Sequence, residues 1–198
     1  DTHDLERMAA LPGEVAQELG PVEILVLNTG GPSRGATFDH GVEAAEEAYR
    51  SLVLAPRVLI EAVLPGMGQR GWGRIVNVSS SSGKRPSTSN VAYAVAKSGQ
   101  LALSRAYADA YAAEGVLVNA VAPGPVAGEL WLEDGGLADQ LADRSGGTRE
   151  QAVEAAAAKI PLGRLATREE IADVIVFLCS ERAANVAGAA WSVDGGSV

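Results

Sequence analysis

Cysteine is nearly absent from this 198-residue sequence, with Cys179 alone. A single thiol excludes disulfides within one chain and a thiolate metal site, and it fits a reducing, cytoplasmic setting. Histidine is almost as scarce. Neither His3 nor His40 sits in a motif that would make it a catalytic base, and no G-x-S-x-G elbow occurs, so a serine-hydrolase reading fails. His, Cys, Asp and Glu form no recognisable metal-ligand spacing. Basic residues are outnumbered, 16 against 25 acidic, for a net charge of −9. That balance argues against nucleic acid or an anionic membrane as a partner. Long hydrophobic runs are missing too. Leu52 to Met67 is interrupted by Pro56, Arg57, Glu61 and Pro65, and reads as too short to span a bilayer.

Hydrophobic residues make up 47% of the chain, with abundant Gly and Ala, which suits a tightly packed α/β protein. Its length fits a single domain over residues 1–198 with a sizeable core. Four short apolar runs read as buried strands: Glu23–Asn28, Arg74–Ser79, Val116–Val121 and Ala189–Val193. Helical patterns alternate with them. The first runs from Asp4, a plausible N-cap, to Gly20, interrupted at Pro12-Gly13. A long one spans about Val42 to Leu64, capped by Asp39 and ended by Pro65-Gly66. Another spans Asn90–Glu114, stopped by Gly115. The last covers Arg168–Ser180, where Thr167 and Glu170 form a capping box. Uniformly apolar strands alternating with helices imply a doubly wound parallel sheet in a three-layer α/β/α arrangement. Glu129 to Ala158 is a polar, Ala-rich excursion, expected to be helical in parts and mobile.

The stretch from Ser80 to Lys97 carries the chemistry. Tyr93 and Lys97 stand four apart on one helix face. That pair alone is weak evidence, since surface helices often carry it. Ser80 strengthens it by standing at a strand's carboxyl end, where open α/β sheets bind ligands. A phenol is a poor proton donor or acceptor at neutral pH. An ammonium about 5 Å away favours phenolate by roughly 3 kcal/mol at an effective dielectric of ~20. Such a set suits proton transfer to a carbonyl that receives a hydride.

Ser80 with Tyr93-x-x-x-Lys97 resembles the active site of the short-chain dehydrogenase/reductase family. Ile24-Leu-Val-Leu-Asn28-Thr-Gly30, Val118-Asn-Ala-Val-Ala-Pro123-Gly124, Ile160-Pro-Leu-Gly-Arg-Leu and Ser192-Val-Asp-Gly-Gly196 resemble further family segments, in order along the chain. The similarity is greatest to the 3-oxoacyl-(acyl carrier protein) reductase-like branch. It implies a Rossmann-type fold and hydride transfer between NAD or NADP, with NADP preferred, and a small carbonyl or alcohol substrate. By the same resemblance Tyr93 is the acid–base residue, Lys97 lowers its pKa and binds the nicotinamide ribose, and Ser80 orients substrate. Asp1, Asn28 and Gly30 line the adenosine side of the cleft, and Pro123, Gly124 and Val126 flank the nicotinamide. Residues 129–160 correspond to a substrate lid, and Trp131 within it is a candidate ligand contact. The two long helices resemble those the family pairs in a homodimer or homotetramer.

Three departures stand out. The family's Thr-Gly-x-x-x-Gly-x-Gly phosphate loop is absent from these residues. Gly66-Met-Gly-Gln-Arg-Gly71 satisfies G-x-G-x-x-G but connects a helix to a strand, the reverse of the required context. Thr29 to Gly35 follows a strand with misplaced glycines. The expectation is that the loop and two βα units lie upstream of Asp1, which itself matches the Asp ending the family's third strand. Leu52 stands where the family usually has an Asn that holds a proton-relaying water. Gly128 stands where it often has Thr. The alternative expectation is a degenerate relative with a binding or structural role and little turnover.

Overall fold

The computed structural model describes residues 1–29, 41–86 and 90–198. Four strands form its sheet: β1 (Ile24–Leu27), β2 (Gly73–Val78), β3 (Val116–Pro123) and β4 (Ala190–Val193). They lie in the order β1-β2-β3-β4, and every neighbouring pair is parallel. Parallel neighbours require crossovers, and helices supply them. The helices are α1 (Leu5–Leu19), α2 (Val42–Tyr49), α3 (Ala55–Arg70), α4 (Ser81–Lys84), α5 (Val91–Tyr111), α6 (Glu129–Leu132), α7 (Leu137–Ser145), α8 (Arg149–Ala157) and α9 (Arg168–Cys179).

Helices cover both faces of the sheet, so the central strands lack the alternating pattern of a half-exposed sheet. On one face Ile75, Val116 and Val118 pack against Leu59, Ile60, Val63, Leu64 and Met67 of α3. On the other, Val76 and Val121 pack against Ile171 and Leu178 of α9. All six residues of β2 are buried. At the edge, Ile24 and Val26 of β1 are 47% and 41% exposed. An apolar edge strand of this kind offers unpaired backbone to a further strand.

Two prolines behave differently from the sequence expectation. Pro12 sits inside a continuous α1, where it is buried. Pro65 lies within α3, which runs on to Arg70. Each proline forgoes one helical hydrogen bond. At Pro65, burial of Leu64 and Met67 against the sheet keeps the helix on course. Asp39 lies outside the described residues, and Gly41 is the N-cap of α2. A π turn, Arg50–Leu54, joins α2 to α3. The joined helix, Val42–Arg70, is therefore long and apolar enough to cross a membrane by length and composition, contrary to the broken-run reading. More than half of its most apolar window is buried inside the fold, the pattern of a core helix.

The capping readings at Asp4 and Thr167 agree with the structure. Asp4 accepts a hydrogen bond from the Arg7 amide. Thr167 and Glu170 form the reciprocal box at the start of α9. The excursion after β3 folds into α6, α7 and α8, with its own capping box at Thr148 and Gln151.

Candidate active site

Strand β2 ends at Val78, and the next four residues are serines. Ser80 caps α4 by accepting a hydrogen bond from the Ser82 amide at 3.1 Å. Its hydroxyl proton remains available to a ligand. Ser79 turns inward and donates to the Lys97 carbonyl at 2.8 Å. Ser98 donates to the Gly83 carbonyl at 2.7 Å, which ties α4 to the first turns of α5. Asn90 caps α5 by accepting from the Tyr93 amide at 3.0 Å. These local bonds set strand end, serine turn and tyrosine helix in one place.

Ser80 and Tyr93 share a cavity of about 330 Å³ with Pro123, Gly124 and Val126. Four residues expected from different parts of the sequence thus meet Tyr93 around one space. Leu130 and Trp131 close its outer side, so Trp131 lies in the cavity wall. Ser81, Ser82 and Asn90 also line it and went unassigned in the sequence, although the serine run signalled a polar rim. A larger hollow of about 450 Å³ lies beyond β4, between Leu162–Glu170 and Ser192–Gly196. Its charged groups include the Arg164–Glu170 ion pair, which holds the Glu170 carboxyl down at about 2. It brings no phenol or free cation together, so the smaller cavity is the candidate site.

Lys97 stands behind the cavity and not in its wall. It is 2% exposed. Its ammonium donates to the Val78 carbonyl at 2.8 Å and to Gln100 Oε1 at 3.0 Å. Nζ lies 5.6 Å from the centroid of the Tyr93 ring. Burial lowers the Lys97 pKa from 10.5 to about 8, because the charged form loses water. Leu52, in the π turn, is fully buried and packs with Ala48, Val53, Ala96 and Tyr93. The space beside the tyrosine helix is apolar on that side.

Asn28 is exposed at the end of β1, next to the strand that delivers Ser80. Asp1 lies before α1, with its carboxylate on the His3 amide at 2.9 Å. Neither touches the cavity. Gly30 lies outside the described residues. Gly128 caps α6, and Arg168 lies beside it, pairing with Glu129. Among the described residues no cluster of three or more His, Cys, Asp or Glu could hold a metal ion.

A parallel sheet, helices on both faces and a hydroxyl-rich cavity at the strand ends define a Rossmann-type α/β protein. The family described as Enoyl-(acyl carrier protein) reductase matches residues 1–197. The chain is 37% identical over 197 residues to cis-4-hydroxycyclohexanecarboxylate dehydrogenase of Sinomonas cyclohexanicum, covering 99% of this chain and 74% of the relative. It is 34% identical over 183 residues to acetoacetyl-CoA reductase of Rhizobium meliloti, covering 92% of this chain and 70% of the relative. The structure of L-sorbose reductase from Gluconobacter frateurii, complexed with NADPH and L-sorbose, matches all of this chain and 74% of that one. The TM-score is 0.90 at 30% identity. The chain belongs to the short-chain dehydrogenase/reductase family, near its 3-oxoacyl-(acyl carrier protein) reductase-like branch. By family it is an oxidoreductase.

Proposed function

We propose that the protein transfers a hydride between NADP(H) or NAD(H) and a small carbonyl or alcohol, with Tyr93 moving the proton. The observation that carries this reading is the shared cavity of Ser80 and Tyr93 with a buried ammonium, Lys97 Nζ, 5.6 Å from the phenol ring. Ser80 donates to the substrate oxygen and orients it. Tyr93 gives that oxygen a proton in reduction and removes one in oxidation. Lys97 places its positive charge behind the phenol ring, 5.6 Å from its centroid, and so favours negative charge that develops at the reacting oxygen.

The cavity suits the nicotinamide–ribose half of a dinucleotide. Pro123, Pro125 and Val126 supply an apolar surface, and the serine rim supplies hydroxyls. Gly124 passes so close to β4 that an added Cβ would lie 2.9 Å from Asp194 Cα. Pro123, Gly124 and Val126 would flank the nicotinamide, Lys97 would serve its ribose, and Asn28, Gly30 and Asp1 would serve the adenosine side. Bound there, the cofactor supplies or accepts the hydride. NADPH is favoured because the similar L-sorbose reductase is complexed with it. A β-keto thioester is the first substrate to try, because an acetoacetyl-CoA reductase is among the relatives.

Residues 129–160 act as the substrate lid, hinged where Ala127 donates to the Ala166 carbonyl at 2.8 Å. The chain pairs with a second copy through α2 and α5, where Val42, Tyr49, Val91 and Val95 expose an apolar face. Light scattering after size exclusion tests this: a monomer mass at micromolar concentration rejects it. The packed Leu52 also favours a second reading, a degenerate relative with a binding or structural role and little or no turnover. Titration with NADPH and NADH, followed by nicotinamide fluorescence, separates the readings when paired with reduction of a β-keto thioester. Turnover that Tyr93→Phe abolishes while binding persists supports the enzyme. Binding without turnover, or no binding at all, selects the second reading and overturns the first.

A further inference from the structure

Gln100 is fully buried on α5, three residues beyond Lys97. Its Oε1 accepts from Lys97 Nζ at 3.0 Å, and its Nε2 has no partner. The lysine fixes this amide orientation. The opposite one would set two donors, an NH₂ and an ammonium, against each other. A buried glutamine thus leaves both N–H donors of its own amide unpaired while serving the lysine, a costly choice for packing alone.

We infer that Gln100 is a positioning residue of the proton-transfer site, holding the Lys97 ammonium jointly with the Val78 carbonyl. Two of the three N–H groups are then committed, at 2.8 and 3.0 Å, and one remains for the Tyr93 or cofactor side. A lysine on four rotatable bonds needs such anchors to present its charge at a fixed distance. The side facing Leu52 offers none, because Leu52 packs with Ala48, Val53 and Ala96. The polar hold comes instead from the lysine's own helix, one turn on.

Neighbouring charges do not explain the lysine's state. Burial is the one cause of its lowered pKa. Lys84 on α4 is bound to Ala190 and Ser192, and Arg50 of the π turn donates to the His3 carbonyl. Arg74, on β2, reaches Glu181 instead. Among the described residues no carboxylate pairs with Lys97. Gln100 Oε1 and Val78 O are therefore the groups that favour the ammonium.

The inference rests on the oxidoreductase reading, but its test does not need turnover. The chain has three lysines, Lys84, Lys97 and Lys159, so ε-¹³C-lysine labelling gives three resolvable NMR titrations. Gln100→Met keeps length and removes the acceptor. The Lys97 titration is expected to fall by roughly one unit, the worth of a hydrogen bond to a charged group. Gln100→Glu supplies a carboxylate, and the titration is expected to rise. A glutamine that only fills space would give no such opposite pair of shifts. Thermal melts show that each variant is folded, and either variant alone reads the effect. In the active enzyme, kcat falls in Gln100→Met with KM little changed, and its pH profile moves with the lysine. An unmoved Lys97 titration in a folded variant, or shifts of the same sign in both, overturns the inference. An inactive wild-type protein with the two opposite shifts intact would reject the oxidoreductase reading alone.

Discussion

Ser79 and Lys97 are joined by a hydrogen bond from the serine hydroxyl to the lysine's own carbonyl, 2.8 Å long. The bond fastens the end of β2 to the middle of the Tyr93–Gln100 stretch. Gly83 lies over the same peptide: an added Cβ would stand 2.9 Å from the Lys97 carbonyl carbon and 3.1 Å from Ser79 Oγ. Strand end, serine turn and helix thus converge on one backbone unit, which sets Ser80 relative to Tyr93. Gly83→Ala is expected to lose roughly 1–3 kcal/mol, because backbone must move to admit the methyl. Ser79→Ala is expected to lose about 1 kcal/mol, the worth of this one buried hydrogen bond, since the Lys97 carbonyl stays within the α5 ladder. Urea midpoints at constant m-value measure both. A Gly83→Ala midpoint equal to wild type would show that the three elements are not in contact as described.

The lysine's burial has a consequence for stability against pH. Its folded pKa is about 8 against an ordinary 10.5. Between those values the unfolded chain holds a proton that the folded chain has released, so stability rises with pH. Below about 8 both states are charged, and the burial penalty is felt in full. Tyr107 works in the opposite direction at higher pH, since burial and Glu61 push it up to about 12. Its folded form stays protonated after the unfolded form ionises, so that contribution lowers stability above about pH 10. From pH 8 to 10 the lysine adds roughly 2–3 kcal/mol. Denaturation across that range checks this, with Lys97→Met as control. The slope should flatten in that variant, and an identical slope would refute the assignment.

Much of the fold is legible because burial on two faces leaves an obvious mark. β2 and β3 read as apolar runs, and the structure buries them against α3 and α5 on one side and α9 on the other. The prolines misled because local rules weigh one lost hydrogen bond and cannot see the core beyond it. Ser80 and Tyr93 were legible from residue type and spacing, the Pro123–Val126 turn only through the family resemblance, and the three share one cavity. The lysine's withdrawal from that cavity was not, since sequence gives its helix face and not its depth. Gln100 escaped notice for the same reason. A glutamine on a helix looks solvated until burial shows otherwise, and its position one turn from Lys97 was the available signal.

Leu52→Asn tests whether the π turn could accommodate a polar relay. The leucine is fully buried among Ala48, Val53 and Ala96. An amide there exchanges apolar contacts for unpaired polar atoms, at a cost of about 2–4 kcal/mol. The expected result is a less stable protein with no gain in kcat. A variant as stable as wild type with raised kcat would show that the pocket admits water and that Leu52 limits proton transfer.

Gly124→Ala addresses the nicotinamide side of the cavity. The turn from Pro123 to Val126 leaves β3 and passes the end of β4, where the Gly124 amide donates to the Val193 carbonyl at 3.1 Å. A methyl on Gly124 would lie 2.9 Å from both Cα and Cβ of Asp194. Asp194 is buried and its Oδ1 holds the Gly196 amide at 3.0 Å, so it has little freedom to retreat. The turn must therefore move into the cavity, toward the space between Pro123 and Ser80. Stability should fall by roughly 1–3 kcal/mol. Affinity for NADPH should weaken more than affinity for substrate, because the displaced residues are those assigned to the nicotinamide. Fluorescence titration alongside KM for a β-keto thioester separates the two effects. Unchanged NADPH affinity in the folded variant would remove this turn from the cofactor site.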